Sequence, residues 1–361
     1  MPIRPRKSLL NPDLNRPSAL NSKPREKHLL WLDKNENLDY ELMATSNNVL
    51  NSIDPSVIAT YPEAGELYRK LANWIGLSPD YLLLTPGSDG AIRLTFEVFV
   101  EQDDSVIYTS PTFAMYPVYS QMFGAITTLI EYERNELGPS INPEKIIDEI
   151  YKKKPKLVCI PNPDSPSGTV LNPLILKKIL KACEETDTVL LIDEAYHPFY
   201  KDTVALWTKT SKNLIVARTF AKAWGAAGLR IGYAIAHPET ILLLHKMRPM
   251  YEVSSIAVEF MIKMLDRRDE MEASVKRISE GKIYFEREMK ELGFSCLNSE
   301  ANFIHVAFGD EKNNIHNVLN QRVLYRESSS HKSLEGYTRF TAAPLKIMEE
   351  VVDIIKKNLK E

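Results

Sequence analysis

Cysteine is scarce in this chain: three in 361 residues, Cys159, Cys183 and Cys296, set far apart. Such spacing makes neither a zinc-ligand pattern nor a disulfide framework, so metal-clipped and disulfide-stapled small domains are excluded. Cys159 and Cys183 fall in apolar or helical runs and are expected to be reduced packing residues. Long apolar runs are missing too; no window approaches the roughly 20 residues that cross a bilayer. Neither sign of charge is in excess: 45 Lys and Arg face 48 Asp and Glu, a net charge of -3. That balance gives no argument for nucleic acid or an anionic membrane surface. There is no internal repeat and no low-complexity tract. Residues 1–30 carry Arg4, Arg6, Lys7, Arg16, Lys23, Arg25 and Lys27 among five prolines, with no apolar core of a signal peptide. They are expected to form an extended arm.

What is present is the alternation of an α/β protein. The length suggests about two domains with ample core. Apolar strand patterns recur at SVIYTS from Ser105, at Ile126–Tyr132, at Leu157–Ile160, in TVLLIDEAY and in NLIVART, separated by helical patterns. Helices are expected near Pro143–Tyr151, Pro173–Glu184, Glu239–Met247, Ser254–Leu292 and Pro344–Lys360. This order argues for a mostly parallel sheet with ligand loops at its C-terminal edge.

The chemistry gathers in RTFAKAWGAAGLRIGY, Arg218 to Tyr233. Lys222 sits among small and apolar neighbours, and partial burial lowers a lysine's pKa enough to make it a nucleophile. Such an amine forms a Schiff base with an aldehyde, and pyridoxal phosphate is the cofactor that best uses this. Its phosphate asks for a planar, permanently charged partner such as Arg230, with the Thr219 hydroxyl nearby. Upstream, LLLTPGSDGAIRLTF reads as strand, glycine turn and helix, which aims helix N-terminal amides at whatever lies above the strand. Asp193 ends a buried apolar strand, a costly place for a carboxylate unless it meets a cation.

Taken together these stretches resemble the fold-type I aminotransferases, most closely the histidinol-phosphate aminotransferase branch. The resemblance runs from about Trp31 to the C-terminus. It implies a large domain (45–245) with a mostly parallel seven-stranded sheet, and a smaller α+β domain formed by 31–44 with 246–361. It implies Lys222, Asp193 and Tyr196 as catalytic residues. Asp193 would keep the cofactor's pyridine nitrogen protonated, and Tyr196 would bond its phenolic oxygen. Ser88, Asp89, Thr219 and Arg230 would hold the phosphate, and Phe113 would stack on the ring. Tyr61 of the YPE element would reach the phosphate of a neighbouring subunit, so a homodimer with shared sites is expected. Arg326 and Arg339, thirteen positions apart, match the two substrate-binding arginines of the branch, and Asn35 belongs to its NEN signature near the substrate pocket.

Three positions depart from the pattern. Ser165 in NPDSPSG stands where an asparagine serves both the phenolic oxygen and a substrate carboxylate. Gly90 replaces a glutamate beside the phosphate loop, and Ala221 replaces the serine before the lysine. The expected activity is amino transfer between an amino-acid donor, with glutamate first, and a small anionic, phosphorylated oxo acceptor, in the cytoplasm. A decarboxylase of a phosphorylated amino acid, similar to threonine-phosphate decarboxylase, is the alternative. A non-enzymatic regulator would need a DNA-binding module, for which the arm is too short and irregular.

Overall fold

The computed structural model describes residues 4–12, 14, 24–135, 138–328 and 331–359. The expected arm at 1–30 therefore lies partly outside the described residues. Seven strands form the main sheet: β1 (Leu82–Thr85), β2 (Ser105–Ser110), β3 (Ile126–Glu131), β4 (Leu157–Pro161), β5 (Val189–Asp193), β6 (Leu214–Thr219) and β7 (Gly232–Ala236). Their order is β1-β7-β6-β5-β4-β2-β3. β7 runs antiparallel to both neighbours, and the other pairings are parallel.

The central strands are near-continuous apolar runs up to their C-terminal ends because both faces are covered. On one face Val158, Ile160, Leu190, Ile192 and Val216 pack beneath α2 (Gly65–Ile75), α5 (Pro143–Lys153) and α6 (Pro173–Glu185). On the other, Leu157, Cys159, Leu191, Ile215 and Ala217 pack beneath α3 (Gly87–Phe99), α4 (Met115–Phe123) and α7 (Pro238–Met247). The strict alternation of these two sets is the period-2 geometry of a strand. Cys159 and Cys183 are buried, as expected of packing residues. Asn-Pro opens two of the helices: Asn142 and Asn172 cap α5 and α6 through their side-chain oxygens, with proline at the first helical position.

The expected single helix from Ser254 to Leu292 is two helices. α8 (Ser255–Leu265) and α9 (Arg268–Glu291) are separated at Arg267, whose backbone (φ -120°, ψ 41°) leaves the helical region. Val258, Phe260 and Met261 before the break pack on the sheet core, whereas Ile278, Phe285 and Met289 after it belong to a second core. The chain passes from the first core to the second within α9, after Met271, and the apolar spacing on either side of the break is the same, so periodicity does not reveal it.

That second core underlies an antiparallel sheet, order β8-β9-β11-β10, built from β8 (Ser295–Leu297), β9 (Phe303–Ala307), β10 (Arg326–Glu327) and β11 (Tyr337–Thr341). Helices α9, α10 (Lys312–Leu319) and α11 (Leu345–Asn358) cover it. Leu30–Trp31 pairs in parallel with Val323–Leu324, and Leu32 joins this core. In α1 (Tyr40–Asn51), Leu42 and Val49 instead join the core of the large sheet, as α8 does. From this packing we infer that the domain divisions lie at Asp39–Tyr40 and within α9, after Met271.

Candidate active site

Asp193 and Glu194 are adjacent buried carboxylates at the end of β5, with opposite fates. Glu194 is satisfied: Arg218 donates to it through Nε (2.9 Å) and Nη2 (2.8 Å), joined by the Thr203 hydroxyl and the Val204 amide. The Asp193 carboxylate accepts from the Ala195 amide at 3.0 Å and lines the cavity. Burial, with the charges of Asp89 and Glu194 adding, pushes its carboxyl up to about 7 against the opposing Ala195 bond and Lys222. A carboxylate left this way asks for a cationic or protonated partner in the cavity.

One turn beyond, Tyr196 lies buried with its hydroxyl accepting from Asn35 Nδ2 (2.9 Å) and donating to Ser165 Oγ (3.4 Å). Asn35 holds a left-handed backbone (φ 56°), and its amide donates to the Thr341 hydroxyl at 2.9 Å. The strand β6 delivers Thr219 and then Lys222. The Lys222 Nζ donates to the Lys34 carbonyl at 2.8 Å and sits 5.9 Å from the centre of the Tyr196 ring. Burial first, then Arg339 and Arg230, bring its amine down to about 8 against the pull of Glu36 and Asp193.

Opposite the lysine is a cradle made of glycine. A Cβ on Gly87 (φ 74°), the first residue of α3, would stand 2.9 Å from the Arg230 Nη2. A Cβ on Gly232 of β7 would stand 2.5 Å from the Gly87 carbonyl carbon. Only glycine allows the α3 N-terminus, β7 and Arg230 to converge so closely. Free amides at that N-terminus and a guanidinium form an anion site, and its glycines fit a phosphate. Gly90 also has a steric reason: a side chain there would meet Pro86 Cδ at 2.6 Å. Glutamate is thus excluded by the proline that opens the helix.

Asn35, Ser88, Asp89, Phe113, Ser165, Asp193, Tyr196, Thr219, Lys222, Arg230, Arg326 and Arg339 all line one cavity of about 550 Å³. Asp89 accepts from the Tyr119 hydroxyl (3.0 Å), and Phe113 is edge-on to Tyr116 with ring centres 6.0 Å apart. Arg326 and Arg339 are cross-strand partners. Arg339 lies over Phe303, 5.2 Å from the ring centre, and its buried Nε has no hydrogen-bond partner among the described residues. Tyr61 alone stands outside: it is 71% exposed and stacks on Tyr251 at 4.2 Å.

Sequence reading missed the main-chain carbonyls of Asp33 and Lys34, which no residue type announces. It also missed His331, which lines the cavity from the connection between β10 and β11 while its Nε2 meets Glu131 of β3 at 2.7 Å. No cluster of metal-ligand type occurs among the described residues. Nor is any described helix long and apolar enough to cross a membrane.

The family model for aminotransferase class I and II matches residues 27–355. The histidinol-phosphate aminotransferase of Thermoanaerobacter sp. (strain X514) is 30% identical, over 86% of this chain and 88% of its own. Among solved structures, the histidinol-phosphate aminotransferase of Sinorhizobium meliloti in complex with pyridoxal-5'-phosphate superposes with a TM-score of 0.77 at 21% identity, covering 92% of this chain and 91% of its own. That of Clostridium acetobutylicum gives 0.78 at 21%, covering 91% and 98%. These two likenesses carry the fold, and the family match with the sequence relative carries the rest. The chain belongs to the class I and II aminotransferases, pyridoxal-phosphate-dependent transferases of fold type I, in the histidinol-phosphate aminotransferase branch.

Proposed function

We propose that this aminotransferase moves an amino group between glutamate and a small phosphorylated oxo compound, with histidinol phosphate as the amino form of that compound. The observation that carries the reading is the Arg326–Arg339 cross-strand pair, which lines the same cavity as Ser88 and Arg230 beside the glycine cradle. One anion site suits the cofactor's phosphate and the other suits the substrate's anionic end.

Pyridoxal phosphate supplies an aldehyde for amines and a ring that draws electrons from the substrate Cα. In the proposed division of labour, the Ser88 and Asp89 region, Thr219 and Arg230 hold the phosphate. Phe113 covers the ring face and keeps water from it. Asp193, short of partners, holds a proton at the pyridine nitrogen. The Tyr196 hydroxyl, oriented by Asn35 and Ser165, bonds the phenolic oxygen. Lys222, with its amine brought down to about 8, would hold the aldehyde carbon and, once the amino donor displaces it, would take the proton from the substrate Cα and deliver it to that former aldehyde carbon.

Ser165 is shorter than the asparagine it replaces, and its hydroxyl already receives the Tyr196 proton. Carboxylate recognition then falls to Arg339, whose Nε is free to donate. This favours a substrate with one strong anionic end. Tyr61, exposed beside Tyr251, is available to a second copy, in keeping with a homodimer that shares its sites. Three free thiols fit a reducing, cytoplasmic setting.

The test is to supply the loaded enzyme with histidinol phosphate and 2-oxoglutarate. Formation of glutamate supports the reading. Carbon dioxide released from phosphothreonine, with no glutamate formed, would replace it with the decarboxylase.

A further inference from the structure

Residues Asp33 to Glu36 have no strand or helix pairing; the first three line the cavity and serve the site's groups in succession. The Asp33 carbonyl accepts from Arg326 Nε (3.3 Å) and Arg339 Nη2 (3.1 Å). The Lys34 carbonyl accepts from Lys222 Nζ, and Asn35 donates to Tyr196. A strip with no ladder of its own must be held by other means, because fixing each residue's backbone costs about 1–2 kcal/mol.

Arg25 spans it from outside. Its Nη2 donates to Asp33 Oδ1 at 2.7 Å and its Nη1 to Glu36 Oε2 at 2.5 Å, one arm to each end of the strip. The guanidinium also lies over Trp31, 5.1 Å from the ring centre. The three side chains are 18%, 15% and 32% exposed, so the contacts are partly shielded from water. Only the planar fork of arginine reaches two carboxylates at once; a lysine is a point charge. Arg25 is not among the residues that line the cavity.

We propose that Arg25 is a positioning residue: it clamps the Asp33–Glu36 strip and thereby fixes the directions of Lys222, Tyr196, Arg326 and Arg339 without touching substrate or cofactor. The consequence for turnover rests on the roles given to those four groups under the proposed function; the clamp itself does not.

Hydrogen exchange with mass spectrometry on the full-length, cofactor-free protein reads the clamp directly. In Arg25→Gln the peptide spanning residues 32–38 exchanges about tenfold faster, while peptides of β5 and β6 keep their wild-type rates. Arg25→Lys falls between the two. Glu36→Gln, which removes one half-exposed arm with little risk to folding, speeds the same peptide by a smaller factor. In the loaded enzyme Arg25→Gln lowers kcat more than it raises KM, and Arg25→Lys recovers part of the loss. Unchanged exchange at 32–38 in both Arg25→Gln and Glu36→Gln overturns the proposal, whatever the activity. Faster exchange in those variants, with a wild type that does not act on histidinol phosphate, supports the clamp and removes the substrate reading instead.

Discussion

Arg326 and Arg339 stand opposite each other across the β10–β11 ladder, and both donate to the carbonyl oxygen of Asp33. Like charges placed directly opposite in a sheet destabilise it, by up to about 1 kcal/mol. One backbone carbonyl does not neutralise two cations, so the pair is poised for an anion from the cavity. Arg339→Ala is expected to raise KM for the anionic substrate about 100-fold, the loss of a charge-assisted interaction of about 2–3 kcal/mol. Arg326→Ala, at an exposed position, costs about tenfold. Steady-state kinetics on both variants checks the ranking; equal KM values in wild type and Arg339→Ala would remove the pair from the substrate site.

The amine of Lys222, down to about 8, links folding to pH. An unfolded lysine titrates near 10.4. Between about 8 and 10.4 the unfolded chain binds the proton that the folded chain has lost, so this residue's contribution makes stability rise with pH in that window. Below about 8 its penalty is fully present. Cofactor-free Lys222→Met is therefore expected to melt above wild type at pH 7, with the difference shrinking by pH 10.5. Calorimetry at the two pH values decides it.

Asp193 gives the opposite sign. Its carboxyl, pushed up to about 7 in the fold, titrates near 3.9 when unfolded. Across that window the folded chain holds the extra proton, so its contribution to stability falls as pH rises and the penalty is complete above about 7. Cofactor-free Asp193→Asn is expected to melt higher than wild type at pH 8, while turnover drops by a factor of about 10² or more. Wild-type turnover in that variant would contradict the role given to Asp193.

Gly87→Ala places a methyl group against Arg230 on a left-handed backbone. Cofactor affinity is expected to fall about tenfold or more, through strain of about 1–3 kcal/mol at the cradle. Equilibrium titration of the cofactor-free variant with pyridoxal phosphate measures it.

Much of this was legible in the sequence because it is written in side chains at fixed spacing. The buried strands before Asp193 and Thr219 declare themselves as apolar runs, and the stretch from Arg218 to Tyr233 brings Lys222 and Arg230 to one cavity. The rest depends on the backbone. The carbonyls of Asp33 and Lys34 acquire their roles only when two segments almost 200 residues apart meet at Lys222. The break at Arg267 has no proline or glycine to mark it. Gly90 reads as a missing glutamate until Pro86 is seen above it.

The central claim is that Lys222 runs an amino-transfer half-reaction. Its most direct test is to add glutamate alone, without acceptor, to the purified enzyme carrying pyridoxal phosphate. The visible spectrum and the 2-oxoglutarate released are then followed in wild type and in Lys222→Ala. The account predicts loss of the visible cofactor band and one equivalent of 2-oxoglutarate per site in wild type, and no release from Lys222→Ala. Release from Lys222→Ala at the wild-type rate would contradict it.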